Sequence, residues 1–85
     1  MKKFNAIINI TLRKGILDVQ GKAVENALHS IEFPMIQNLR IGKHVELSVS
    51  AESPAEAKTL VDSACKQLIA NPIIEDYTIT LEEVA

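Results

Sequence analysis

Phe4, Ala6, Ile8, Ile10 and Leu12 alternate with Asn5, Ile7, Asn9 and Thr11. Successive side chains of a strand point to opposite faces, so a period of two puts the first set on one buried face of strand one. The period then lengthens. Ala23, Val24, Ala27, Leu28 and Ile31 recur at the spacing of one helix face, with Asp18 as the N-cap and Pro34 bounding the far side. Residues 37–41 read as a short strand and Gly42-Lys43 as a tight connection. Val45, Leu47, Val49 and Ala51, alternating with Glu46, Ser48 and Ser50, complete a hairpin. Ser53-Pro54-Ala55-Glu56 is a capping box with proline at the first helical position. It opens a second helix whose expected buried stripe is Ala57, Leu60, Val61, Ala64, Leu68 and Ile69, stopped by Asn71-Pro72, since asparagine tolerates αL and proline cannot continue a helix. Tyr77, Ile79 and Leu81 alternate with Asp76, Thr78 and Thr80 as a last strand before an acidic end, Glu82-Glu83.

The order βαββαβ predicts an α+β, ferredoxin-like fold: a four-stranded antiparallel sheet with both helices on one face, extended by dimerisation. The opposite face then carries Asn5, Ile7, Asn9, Thr11, Glu46, Ser48, Ser50, Thr78 and Thr80, polar but almost without charge. Short neutral side chains suit packing against another protein surface or another copy better than they suit water alone. RNA-binding modules of this topology stack bases on aromatic side chains, whereas Phe4 and Tyr77 fall in the inward register.

Length and charge narrow the classes. The 85 residues suffice for one domain, 1–85, and lean toward accessory work, because an autonomous active site needs a cleft built from several elements. Nine basic and eleven acidic residues give a net charge of -2, with the signs interspersed, which favours neither nucleic acid nor an anionic membrane as partner. A single cysteine, Cys65, forms no internal disulfide and fits a reducing cytoplasm. Asn5, Asn9 and Thr11 interrupt the N-terminal apolar stretch as a signal-peptide core, and no apolar run approaches the roughly 20 residues that span a bilayer.

The residues that carry chemistry are sparse. Cys65 lacks a second cysteine for a redox or metal pair and reads as a buried or half-buried structural thiol; His29 and His44 lie in different elements without a partner at metal-ligand spacing. The carboxylates gather at element ends, and none is paired for acid-base work. Arg13-Lys14-Gly15 stands where strand one leads into helix one, either as an ordinary turn or as a phosphate-holding helix start. Val19-Gln20-Gly21 is similar to the acylphosphatase phosphate loop, but the arginine that loop needs is missing, since Lys22-Ala23 follows. Gly21 is costly in a first helical turn, by up to ~1 kcal/mol against alanine, and close approach of another backbone would account for it.

Taken in order, Thr11-Leu12-Arg13-Lys14-Gly15-Ile16-Leu17-Asp18, Gln20-Gly21-Lys22-Ala23-Val24-Glu25 and Ala27-Leu28-His29 closely resemble the opening of the PurS family, the small subunit of bacterial and archaeal phosphoribosylformylglycinamidine synthase. Arg40-Ile41-Gly42-Lys43 with Val45-Glu46-Leu47 resembles its hairpin, and residues 68–77 its second-helix end and last strand. The combination runs over nearly the whole chain. Val19 replaces a common proline, His44 a usual aromatic residue, and Ser53-Pro54-Ala55-Glu56 a more acidic stretch.

This resemblance implies a non-catalytic subunit of a purine-biosynthetic ligase complex. A glutaminase subunit releases ammonia, and a large synthetase subunit uses ATP and Mg to convert formylglycinamide ribonucleotide to the amidine. The small subunit, with no cofactor or metal of its own, assembles the two and supports ammonia transfer. On that basis Arg13, Lys14, Gly15, Gln20, Gly21, Lys22, Arg40 and Lys43 are the candidate contacts with the partner subunits. Sheet surfaces would make a homodimer or tetramer. The competing class is an amino-acid-binding ACT-like regulatory module, which shares the element order and a turn that Gly15-Ile16-Leu17 imitates.

Overall fold

The computed structural model describes residues 1–84. Its central strand is β1 (Lys2–Leu12), flanked antiparallel by β2 (Gly42–Ala51) and β3 (Glu75–Val84) in a three-stranded sheet ordered β2-β1-β3. Ile8 marks the register, opposite Val45 on one side and Ile79 on the other. The period-two pattern of β1 emerges intact: Phe4, Ala6, Ile8 and Ile10 are at most 1% exposed, and Asn5, Ile7, Asn9 and Thr11 lie on the open face.

One helix covers the sheet. α2 (Pro54–Ala64) begins at the expected capping box, where the Ser53 side chain accepts the Glu56 amide at 3.1 Å. The Glu56 carboxylate reaches back to the Glu52 amide, 3.2 Å away, one residue before the cap. Ala57, Val61 and Cys65 bury against β1, Cys65 as its expected reading requires, and Ala64 and Ile69 are half-buried; of the expected stripe, Leu60 and Leu68 are instead 46% and 88% exposed. The helix continues as a π-helical turn (Cys65–Ile69) and ends with Ala70 extended, so Asn71 is not in the αL conformation. Asn71 instead accepts the Ile73 amide in an Asx turn that leads into β3. Burial raises the Cys65 thiol pKa, which suits a core side chain and disfavours a nucleophile.

Residues 37–41 form no strand, so among the described residues the sheet has three strands, without the expected hairpin and fourth strand. The physical reason is local. Asn38 has φ 59°, and the amides of Leu39 and Ile41 donate to the side chains of Glu25 and Asp18 rather than to a neighbouring strand. Gly42-Lys43, expected as a turn, begins β2 opposite Thr11 and Ile10, where a Cβ on Gly42 would collide with the Ile10 carbonyl oxygen. Glu82 and Glu83, expected beyond the last strand, pair with Asn5 and Phe4.

α1 (Val19–Ser30) does not lie on the sheet beside α2 as expected. Connectivity explains the difference. β2 and β3 are both antiparallel to β1 and therefore parallel to each other, so the link between them must cross the sheet, and α2 makes that crossing. The link from β1 to β2 leaves and re-enters at the same end, so α1 can project beyond it. A β1 of about 36 Å and a helix of about 18 Å set end to end match the longest dimension, 52 Å. Ala23, Val24, Ala27 and Ile31, expected in the core, are exposed and Leu28 is half-buried; the buried residues of α1 are Gly21 and Glu25.

Candidate functional site

The junction between the end of β1, the start of α1 and the entry to β2 is held by two carboxylates. Asp18 Oδ1 accepts the Gly21 amide at 2.9 Å, capping α1, while Oδ2 accepts the Ile41 amide at 2.8 Å. Those two backbone donors, with help from the Arg40 charge, hold the Asp18 carboxyl below its usual pKa. Two turns further on the same helix face, Glu25 Oε1 accepts the Leu39 amide at 2.8 Å. Gly21 lies between them. A Cβ there would strike the Asp18 carboxylate and come within 3.0 Å of the Leu39 carbonyl oxygen, which is the close backbone approach that explains a glycine in the first turn.

Three of the cations expected to face partners are engaged within the chain. The Arg40 guanidinium donates to the Leu12 carbonyl. Arg13 donates to the Pro72 carbonyl and lies 3.6 Å from Asp76, and Lys43 lies 3.4 Å from Glu75. They tie the end of β1 to the starts of β2 and β3. Lys14 has no ion-pair partner among the described residues, and Lys22, itself exposed, lies 3.8 Å from the buried Glu25 carboxylate. Lys14, Gly15, Lys22 and Arg40 border an open groove of about 690 Å³, which Asn38 and Leu39 also line. Gln20 and Lys43 border a second, adjoining hollow, and Leu17 and Asp18 form the wall between the two. All the candidate positions except Arg13 and the buried Gly21 thus line one of two neighbouring concavities.

Sequence reasoning missed Glu25, Asn38 and Leu39. The signals were present: Glu25 follows Asp18 by two helical turns, and asparagine tolerates a positive φ. Among the described residues no three His, Cys, Asp or Glu side chains are grouped to hold a metal ion. His44, on the open face of the sheet, lies 3.0 Å from Asn9 Oδ1 and 3.0 Å from Glu46 Oε2.

Comparison with known proteins places the chain in a family. The profile described as PurS, phosphoribosylformylglycinamidine (FGAM) synthase, matches residues 5–83. The chain belongs to the PurS family. It is 42% identical over 77 residues to the phosphoribosylformylglycinamidine synthase subunit PurS of Bacillus subtilis (strain 168), covering 91% of this chain and 90% of that one. A Methanocaldococcus jannaschii PurS structure superposes with a TM-score of 0.86 at 30% identity, over 96% of this chain and 99% of that chain. A chain in the structure of PurLQS from Thermotoga maritima gives a TM-score of 0.87 at 31% identity, over 99% and 100% of the two chains.

The protein is thus a PurS subunit of FGAM synthase, in purine biosynthesis. The departure from the PurS pattern at Val19 leaves the Asp18 cap intact, because Val19 is exposed and the cap bond forms without proline.

Proposed function

We propose that this chain joins the glutaminase and the large synthetase subunit of FGAM synthase and supports transfer of ammonia between them, with no active site of its own. The observation that carries this reading is the match, over 99% of the chain, to a chain of the T. maritima PurLQS structure. ATP and Mg serve the synthetase, where the formylglycinamide ribonucleotide amide is activated. The work proceeds in the cytoplasm; among the described residues no helix is long and apolar enough to cross a membrane.

Lys14, Gly15, Gln20 and Lys22 contact the partners directly. Arg13, Arg40 and Lys43 act by holding the junction in shape, which follows from their bonds to Pro72, Leu12 and Glu75. The chain also associates with itself. Its neutral open face and the free outer edges of β2 and β3 offer surfaces on which a neighbour extends the fold toward the four-stranded, ferredoxin-like arrangement. Sedimentation of the glutaminase and synthetase with and without this chain tests the reading. Joint sedimentation that needs the chain and is weakened by Lys14→Glu supports it; co-sedimentation indifferent to the chain overturns it.

A further inference from the structure

Two of the chain's glycines are accounted for by their own surroundings, and Gly15 is not. A Cβ on Gly21 would strike the Asp18 carboxylate, and one on Gly42 the Ile10 carbonyl oxygen. At Gly15 a Cβ would meet nothing within 4 Å among the described residues, and its φ is not positive. Neither crowding nor a left-handed backbone calls for glycine there, so the space it leaves lies outside the chain.

That space is the groove of about 690 Å³ bordered by Lys14, Gly15, Lys22 and Arg40. The carboxylates in its lining are taken up by backbone: both Asp18 oxygens accept amides, and so does Glu25 Oε1. The cations at its mouth are less engaged. Lys14 has no ion-pair partner among the described residues, and the Lys22 side chain is 60% exposed with Glu25 3.8 Å away, a pairing worth little in water. In a chain of net charge -2, this mouth is therefore locally positive. Ile16 and Leu17 add an apolar wall, Leu17 being 71% exposed. An apolar wall with a charged border, open along its length, suits a protein segment better than a small anion, which needs enclosure.

We propose that this groove seats an extended acidic segment of a partner subunit, its backbone passing over Gly15 and its carboxylates meeting Lys14 and Lys22. The inference rests on the assembly reading above and gives the contact a form. A bare glycine admits main chain at close range, whereas a helix is sheathed by its own side chains. The Glu25 and Asp18 bonds to the amides of Leu39 and Ile41 hold the opposite wall in place before the segment arrives, so little of the ordering cost falls on this chain. The lysines contribute steering and register more than affinity. Leu17 and Asp18 separate the groove from the second hollow, which Ile10 and Leu12 line.

Reconstitution of the full chain with the glutaminase and the synthetase, followed by sedimentation velocity, tests this, with circular dichroism on each variant. Gly15→Ala and Gly15→Leu should leave Tm within about 3 °C of the parent, as surface changes do. Both should weaken the complex, Gly15→Leu raising its dissociation constant by about tenfold or more. Lys14→Gln with Lys22→Gln should also weaken it and flatten its salt dependence, while Gly15→Leu retains the parent's. No complex with the wild-type chain overturns both this inference and the assembly reading. A wild-type complex indifferent to Gly15→Leu overturns the seated segment and leaves assembly standing, whatever the lysines do. An unchanged salt dependence in the lysine double variant likewise overturns the acidic segment alone. A Tm that falls well beyond that margin in Gly15→Ala shows that the chain itself needs the glycine, and overturns the inference at its premise.

Discussion

Gly21→Ala should destabilise the protein, although glycine to alanine in a helix ordinarily does the reverse. Alanine gains about 1 kcal/mol in intrinsic helix propensity at such a position. Here the added methyl would meet the Asp18 carboxylate, with its Cγ 2.8 Å away, and the Leu39 carbonyl oxygen at 3.0 Å. Overpacking of this kind costs typically ~1–3 kcal/mol, and the Leu39 side of the clash is backbone that cannot swing aside. Moving Asp18 to make room also releases the Gly21 and Ile41 amides, so the helix cap and the tether to β2 weaken together. The expected net loss is roughly 1–2 kcal/mol, or a Tm lower by about 5–10 °C for a domain of this size. Thermal unfolding followed by circular dichroism measures it, at one fixed protein concentration because association shifts Tm. The same substitution made in an Asp18→Ala background should cost at least ~1 kcal/mol less, since the carboxylate is gone. A Tm that rises in Gly21→Ala, or an identical cost in both backgrounds, would refute the reasoning.

Other consequences follow from single contacts. Ile8→Ala, fully buried on the central strand, should cost ~2–5 kcal/mol by urea denaturation, while Ile7→Ala on the open face costs well under half of that. The Tyr77 hydroxyl, pushed up to about 12 chiefly by its bond to Asp62, keeps its proton while the unfolded chain loses it near its ordinary value of 10.0. Stability should therefore fall as pH rises from about 10 to about 12, and Tyr77→Phe should flatten that part of a pH series. The Asp18 carboxyl has the opposite sign: its folded pKa lies below the ordinary 3.8, so its contribution is full above that value and fades as pH falls through the lower folded one. Asp18→Asn should remove that part of the acid loss, read as a shallower fall of Tm in acid than in the parent.

The parts of the fold that depend on one chain's own burial were legible. β1 could be read because period two and a fully buried face coincide in Phe4, Ala6, Ile8 and Ile10. The caps at Asp18 and Ser53 could be read because short polar side chains act on amides two or three residues away. The place of α1 could not. Its apolar stripe is genuine, but amphipathicity states that a face needs cover and is silent about which surface, or which chain, supplies it. Residues 37–41 misled for a related reason: their backbone donors are satisfied by Glu25 and Asp18, a long-range pairing that strand propensity does not register. At the junction, the candidate cations were visible as residues but not as roles. That Arg13, Arg40 and Lys43 bind their own chain depends on where β3 and the end of β1 come together.

The central claim is that this chain connects two active subunits without being one. Its most direct test is glutamine-dependent amidination of formylglycinamide ribonucleotide by matched glutaminase and synthetase subunits, with ATP and Mg present, in the presence and absence of this chain. The account predicts that turnover with glutamine requires the chain, while turnover with free ammonia needs only the synthetase. Equal glutamine-dependent turnover without the chain would contradict it.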